Sequence, residues 1–534
     1  MSVYVVTSRL PISPLVCPPS MHVTHPMPAI PTATAESPPV VSAHPPRLLR
    51  TPLLSAMALA AAVLISGCAV GPDYVRPTMD LPTAYKEPGP WKVAEPGQID
   101  SNHRWWEVYG DSTLNGLVEQ ANLANQNIRL AAAQYRQAQA TAALARASLW
   151  PTVGASGGAT RAQTNTLGVN HLADTYSVGL NASWEADIWG GVRRSVEAGD
   201  AGSQASAASL AAARLSIQAT LAQDYLQLRV TDLQKDLYTR TVAAYTRSLQ
   251  LTQHQYDVGV ALRSDVALAE TQMLTAQAAL IDLDATRNQL EHAIAILLGK
   301  APAAFSLPAL DGSDQAKTWQ ASMPAIPTGL PSDLLERRPD IANAERLAAA
   351  ANANIGVARA AYYPTLTLSA GGGYSAIAFA QLFDTPSRVW SLGAALATTL
   401  FDGGARSARN DQANAVYDGA VATYKQTVLG GMQEVEDNLS TLRVLDQEVV
   451  VQDKAVKAAQ LSERLAMSQY QAGTLTYLSV VTTQATALNS QRAAVLLLGR
   501  QLVASVALIK ATGGGWHASE IPGMVSADPA NPRR

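Results

Sequence analysis

Two kinds of periodicity alternate along this chain, and where one gives way to the other the architecture can be read. Residues 111 to about 148 are rich in alanine, leucine and glutamine and free of proline, a helical composition that Trp150-Pro151 ends. From Ser177 to Trp189 the period becomes two. Val178, Leu180, Ala182, Trp184, Ala186 and Ile188 fall on one side and Ser177, Gly179, Asn181, Ser183, Glu185 and Asp187 on the other, which predicts a strand. Leu366, Leu368 and Ala370 alternate with Thr365, Thr367 and Ser369, and Leu392, Ala394, Leu396, Thr398 and Leu400 continue the pattern after Trp390. Residues 152 to 160 are a weaker, glycine-rich version. Four strands of roughly 9 to 13 residues are predicted, the length a tilted strand needs to cross a bilayer.

Each strand pair is followed by a long proline-free stretch, residues 191–258 and 404–472. As continuous helices these reach about 100 Å at 1.5 Å per residue. Val435, Leu439, Leu442, Val449 and Val456 mark the second rod, and Val481, Leu488, Val495, Leu502 and Ile509, each seven apart, mark the returning segment. Met273 to Leu280 and Leu283 to Leu290 to Leu297 repeat that spacing in the first half. A sustained seven-residue repeat means supercoiled helix packing, with many core alanines permitting close approach.

The two halves are copies of one plan. Ala145-Arg146-Ala147-Ser148-Leu149-Trp150-Pro151-Thr152 returns as Ala358-Arg359-Ala360-Ala361-Tyr362-Tyr363-Pro364-Thr365, at an offset of 213. Gly190-Gly191-Val192-Arg193 returns as Gly403-Gly404-Ala405-Arg406 at 213, and Gln255-Tyr256 with Gly259 as Gln469-Tyr470 with Gly473 at 214, so one residue is gained between Arg193 and Gln255. This divides the chain into a leader (1–67), an irregular N-terminal segment (68–110), a first repeat (111–298), a proline-rich linker (299–330), a second repeat (331–512) and a tail (513–534).

The leader is mostly an address. Residues 1–46 are proline-rich without apolar period, are assigned no fold and allow an overlong gene start. Arg47-Leu48-Leu49-Arg50, the apolar stretch 53–65 and Ser66-Gly67-Cys68 then form the three regions of a secretory signal. Ile65-Ser66-Gly67-Cys68 resembles a bacterial lipobox, which makes Cys68 the expected lipidation site and new N-terminus. Ala69, a residue other than aspartate, resembles the sorting signal for the outer membrane. An ordinary signal with a chance cysteine is the alternative.

Charge excludes other classes. Beyond the leader, 36 basic face 41 acidic side chains, so no basic field draws the chain onto nucleic acid. Two cysteines, Cys17 and Cys68, rule out a zinc framework or a disulfide scaffold. Eight histidines show no metal-ligand spacing and no P-loop occurs, so the chain is read as no enzyme, without a cofactor beyond the covalent lipid. No run of about 18 to 20 apolar residues follows Cys68, so no membrane-crossing helix is expected there. Alternation alone also fits a soluble sheet with one wet face. The flanking Trp184, Trp189, Tyr374 and Trp390 resemble an interfacial aromatic girdle, and four strands cannot close a barrel alone without open edges in hydrocarbon, so protomers are expected to share one barrel.

Cys68 with Val70-Gly71-Pro72-Asp73-Tyr74, Trp105-Trp106 with Asp111 and Leu114, Arg337-Arg338-Pro339-Asp340-Ile341 with Ala344-Glu345-Arg346, and Ile355-Gly356-Val357-Ala358-Arg359-Ala360 with Tyr363-Pro364 together resemble the TolC-like outer-membrane efflux proteins, in their NodT-type lipoprotein branch. The resemblance implies an α+β membrane protein: a homotrimer whose four strands per protomer make a 12-stranded β-barrel, continued by a long α-helical periplasmic tunnel. It implies a lipid-anchored outer-membrane duct that works passively with a periplasmic adaptor protein and an inner-membrane transporter. A type I protein-secretion conduit and a non-conducting structural envelope lipoprotein are the competing readings. The family's adaptor-contacting tip maps onto Val258, Gly259 and Val260 and onto Ala472, Gly473 and Thr474. Many relatives carry an aspartate where Thr482 stands. The constriction is therefore expected to rely on Tyr470, Tyr477 and Leu478 around Thr482, with any carboxylate supplied by Asp257 or Asp265.

Overall fold

The structure, a computed structural model, describes residues 69–87, 104–166, 169–310 and 331–523. All lie within one unit, Val63–Arg534. The leader, Cys68, residues 311–330 of the linker and residues 524–534 of the tail lie outside the described residues.

The first repeat consists of α1 (Ser112–Ala124), α2 (Gln126–Ala147), β1 (Thr152–Thr166), β2 (Val169–Ala186), α3 (Gly191–Asp257) and α4 (Arg263–Leu297). The second contains α5 (Pro339–Ala360), β3 (Thr365–Ala376), β4 (Arg388–Ala397), α6 (Ala405–Gln471) and α7 (Tyr477–Ala511). The duplication is exact in helix length: α3 and α6 each run 67 residues, α4 and α7 each 35, and α2 and α5 each 22. Because α3 and α6 start 214 apart, the extra residue sits in the turn between strand and helix. The expectation that it is gained beyond Arg193 is corrected: a residue inserted within a helix rotates every later side chain by about 100° off its seam.

The strands form one antiparallel sheet in the order β1-β2-β3-β4. β1 and β2 are longer than the alternation predicted, and their hairpin projects beyond the last β2–β3 rung, Tyr176 with Ala376. Asp187 stops β2 by accepting from the backbone N–H groups of Val192 (3.0 Å) and Arg193 (2.9 Å), and Asp402 does the same for Gly404 and Arg406.

The rods pack side by side. Near the sheet, α3 lies between α2 and α5, with α6 beyond α5; farther away, α3 lies between α4 and α7, with α6 beyond α7. In each half a cap residue ties the two levels together. Asn125, capping α2, donates to the last carbonyl of α4, Leu297 O (2.8 Å), and Arg338, capping α5, donates to the last carbonyl of α7, Ala511 O (2.9 Å). The main core lies at this junction, where Trp105, Leu114, Leu228, Ile294, Val428 and Leu502 are buried together. By length and composition alone α7 is apolar enough to cross a membrane. It belongs to the protein interior instead: Leu498, Leu502, Val506 and Leu508 are buried in that core.

Candidate functional site: the channel wall and its closed end

The register decides what each face of the sheet offers. Val153, Ala182, Ala370 and Leu392 share a row across all four strands, as do Trp184, Leu368 and Ala394, and Val178, Tyr374 and Arg388. The opposite face presents Thr152, Ser183, Ser369 and Gly393, and next to them Asn181, Gly371 and Ser391. One face is thus apolar with aromatic ends and the other small and hydroxylic, the division a barrel wall needs between lipid and lumen. Both outer strands, β1 and β4, keep an unpaired edge, which hydrocarbon does not tolerate.

At the opposite end each pair of rods closes through the same Schellman turn. Val260 N–H reaches Gln255 O (2.7 Å) and Gly259 N–H reaches Tyr256 O (2.9 Å); Thr474 and Gly473 repeat this with Gln469 and Tyr470 (2.9 Å each). Gly259 has φ 77° and Gly473 φ 74°, a left-handed conformation that an L side chain adopts only at a cost of about 1–2 kcal/mol. Val258 and Val260 protrude, 74% and 75% exposed, and Ala472 and Thr474 are exposed beside Gly473. The first turn thus presents an apolar knuckle of two valines and the second a smaller one with a hydroxyl.

The tyrosines are placed differently from expectation. Tyr470 and Tyr477 are buried between the two hairpins, with ring centroids 5.2 Å apart, packed with Ala269 and Val480. The Tyr470 hydroxyl donates to Gln255 Oε1 across the hairpins, and the Tyr477 hydroxyl lies 3.1 Å from Ser248 Oγ. Burial pushes both phenol pKa values up. They join the hairpins and offer no face to a lumen, because this neighbourhood satisfies both their rings and their hydroxyls. Leu478 is 58% exposed, and Thr482 is exposed with its hydroxyl donating to Leu478 O (2.9 Å). Asp257 accepts from Gln253 (2.7 Å) and Asp265 accepts from the Leu262 N–H (3.3 Å), so both carboxylates serve helix ends. From Tyr477 to Ala511, α7 carries no acidic residue at all.

Sequence reasoning passed over Glu463. It lies in a cavity of about 150 Å³ between α3, α6 and α7, facing Arg240 and Tyr245 of α3 and Gln484 and Gln491 of α7, with Arg464 beside it on its own helix. Among the described residues it has no ion pair; Arg240 is held by Asp236 at 2.8 Å. Burial raises its pKa above the ordinary 4.5, and the same site pushes Tyr245 up to about 12. A raised folded-state carboxylate pKa makes stability greatest below the unfolded value and lowers it as pH rises through the folded one. Glu463→Gln is therefore expected to raise the thermal midpoint at pH 7 and to lose that advantage near pH 4; thermal unfolding at the two pH values checks it. Among the described residues no group of three or more His, Cys, Asp or Glu is placed to hold a metal.

The model of a family described as outer membrane efflux protein matches residues 117–300 and 330–514, most of both repeats. The chain belongs to the outer membrane efflux protein family. The pyoverdine export outer membrane protein OpmQ of Pseudomonas aeruginosa is 32% identical over 481 residues, 88% of this chain and 98% of that one. The toluene efflux pump outer membrane protein TtgC of Pseudomonas putida is 29% identical, over 85% and 94%. Among solved structures, the outer-membrane channel OprN superposes with a TM-score of 0.77 at 30% identity, covering 84% of this chain and 100% of that one. This efflux protein therefore has the fold of the trimeric outer-membrane channels, four strands of a β-barrel wall on a long helical tunnel, and is a transport duct in that membrane.

Proposed function

We propose that this efflux protein is the lipid-anchored, passive exit duct of a tripartite pump for small molecules, closed at its far end by an uncharged constriction. The observation that carries the reading is that wall and rods are incomplete in the same way. The sheet ends in two free edges, and the row of rods ends in free apolar seams: Leu274 and Ile281 on α4, and Val444, Val451, Ala458 and Leu465 on α6, all exposed. The α6 seam keeps a strict spacing of seven, the spacing that knobs-into-holes packing requires. Unlike edges at opposite sides of one protomer close head to tail into a ring, and three copies give twelve strands. Energy must come from an inner-membrane transporter, reached through an adaptor that meets Val258, Gly259 and Val260 and Ala472, Gly473 and Thr474.

The anchor reading rests on where the chain begins its described course. Val70 N–H donates to Trp189 O (2.9 Å) at the foot of the barrel, and Ala69 lies against Gly190. The first described residues, Ala69 and Val70, are thus tied to the turn that follows β2, which suits an anchor on the residue before them. Native mass spectrometry of the detergent-extracted protein tests both points: a trimer whose chains begin at an acylated Cys68 is expected. A monomer under extraction mild enough to keep known membrane trimers intact sinks the shared barrel, and an unmodified Cys68 sinks the anchor.

At the constriction, Leu478 and Thr482 take over from the carboxylate ring of many relatives, with Asp257 and Asp265 the acids flanking the other tip turn. An uncharged ring binds cations weakly. Thr482→Asp is expected to add block by divalent cations in single-channel recordings, whereas block equal to wild type defeats this account of the gate.

A further inference from the structure

The residues joining β3 to β4, 377–387, lie at the end of the sheet farthest from the rods. This connection is ordered by its own bonds: Ser387 Oγ donates to Gln381 O (2.7 Å), Leu382 N–H to Phe379 O (3.2 Å), and Leu382 is 5% exposed. Yet it holds Ile377, Phe379 and Phe383 at 75%, 69% and 69% exposure. An aqueous loop has no use for three such side chains.

Ring contacts show which way the loop leans. Phe379 meets Tyr176 edge-on at 5.7 Å, and Phe383 meets Tyr374 at 5.6 Å. Both tyrosines sit on the apolar face of the sheet, so the loop folds over the lipid side of the wall and not across the lumen. From Ala186 to Tyr176 the apolar face of β2 runs ten residues, about 34 Å along the strand and about 25 Å of height at the usual tilt, the thickness of a barrel's apolar band. Tyr176, Tyr374 and the loop therefore mark the outer boundary of the hydrocarbon.

A cation stands at that boundary. Arg388 is paired in register with Tyr374, and Trp390 follows it on the same face. Arg388 is exposed and among the described residues makes no ion pair; Asp384, the acid of its own loop, does not reach it. Arg161, on the same face, is matched by Asp174 at 3.5 Å. A lone guanidinium above three apolar side chains on a lipid-facing wall has the complement of a phosphate above acyl chains.

We propose that Arg388, with Ile377, Phe379 and Phe383, forms a docking site for a phosphorylated, multiply acylated glycolipid of the outer leaflet. The guanidinium binds a headgroup phosphate, and the side chains of the loop lie among the acyl chains. The proposal rests on the barrel spanning the membrane and goes beyond the transport reading.

The test uses the full-length, detergent-extracted protein freed of lipid and titrated with lipid A, a bis-phosphorylated acylated disaccharide, with bound lipid counted by native mass spectrometry. Wild type is expected to retain it, with Arg388→Gln and Phe379→Ser/Phe383→Ser each binding about tenfold more weakly. Dephosphorylated lipid A is expected to bind wild type only as weakly as intact lipid A binds Arg388→Gln. Unchanged single-channel conductance in planar bilayers shows that each variant is assembled. Equal binding by wild type and Arg388→Gln overturns the proposal. So does equal uptake of phosphatidylethanolamine, which makes the surface a site for any phosphate-bearing acyl lipid, or displacement by millimolar inorganic phosphate, which makes it a bare anion site.

Discussion

Asp232→Asn is expected to cost about 3–5 kcal/mol of stability, because it strips a buried pair of arginines of the carboxylate they share. The Asp232 side chain is 1% exposed. It accepts from Arg287 Nε (2.8 Å), from Arg229 Nη1 (3.2 Å) and from the Leu310 N–H (3.3 Å). Arg287 continues to Glu291 (2.7 Å) and to Leu307 O (2.6 Å), Arg229 to Pro308 O (2.7 Å), and the Leu307 N–H returns to Glu291 (2.8 Å). Two cations and two anions thus balance while they strap residues 307–310 onto α3 and α4. Burial alone works to lower the Arg287 pKa, and its bonds to Asp232 and then Glu291 raise it above the ordinary value; in the variant the guanidinium loses the Asp232 support but stays charged, as arginine does in proteins. Asparagine keeps the shape and removes the charge, leaving two buried guanidinium groups against one carboxylate. The readouts are the denaturation midpoint and protease cleavage between residues 299 and 310. Asp232→Leu/Arg287→Met, which removes the pair together, is expected to recover much of the loss; a single variant as stable as wild type contradicts the account.

That network also marks how far the sequence could be read. Period-two and period-seven patterns located the strands and rods because burial on one face leaves a repeating trace, and the repeat offset fixed their pairing. The proline-rich linker left no such trace. Its first residues are ordered by Asp232 and Arg287, a charge pair in long helices that look solvated in sequence. The duplication held the clue. At an offset of 214, Arg229 and Asp232 correspond to Arg443 and Asp446, and Arg287 to Gln501. Arg443 holds Glu87 of the other irregular segment (2.9 Å), and Gln501 donates to Asp446 (2.9 Å). Arg229 and Arg443 each strap an irregular segment to a rod, the first within a buried charge network and the second through a partly exposed ion pair. At the tip, the turns were legible because a long helix reverses only through a residue that tolerates positive φ. The place of Tyr470 and Tyr477 was not, since a tyrosine near a channel end reads the same whether it lines the lumen or joins two hairpins.

Arg338→Ala is expected to destabilise by about 2–4 kcal/mol, less than the loss at Asp232, because two of its three kinds of partner can return to water. The Arg338 side chain is 8% exposed, whereas Asp340 and Glu434 keep 41% and 56%. Burial alone lowers its pKa, and the hydrogen bonds to Asp340 and Glu434 more than offset this. Its third partner, Ala511 O, ends α7 inside the junction, and among the described residues no other side chain donates to it. The guanidinium also lies flat on α6, where a Cβ at Gly431 would come within 3.1 Å of Arg338 Nε. This accounts for the Arg-Arg-Pro-Asp-Ile segment: Arg338 caps, Pro339 opens α5, and Asp340 accepts from Arg338 (2.6 Å) and from the Ile341 N–H (2.9 Å). Its twin in the first half, Asn125, joins the same two levels with a neutral amide, so charge is not what the joint requires. Lysine keeps the charge but lacks the fork that reaches α5, α6 and α7 at once. Denaturation midpoints should therefore fall in the order wild type, Arg338→Lys, Arg338→Ala, while channels that do assemble conduct as wild type does. If lysine matches arginine, the geometry of the fork is irrelevant and the joint is held by charge alone.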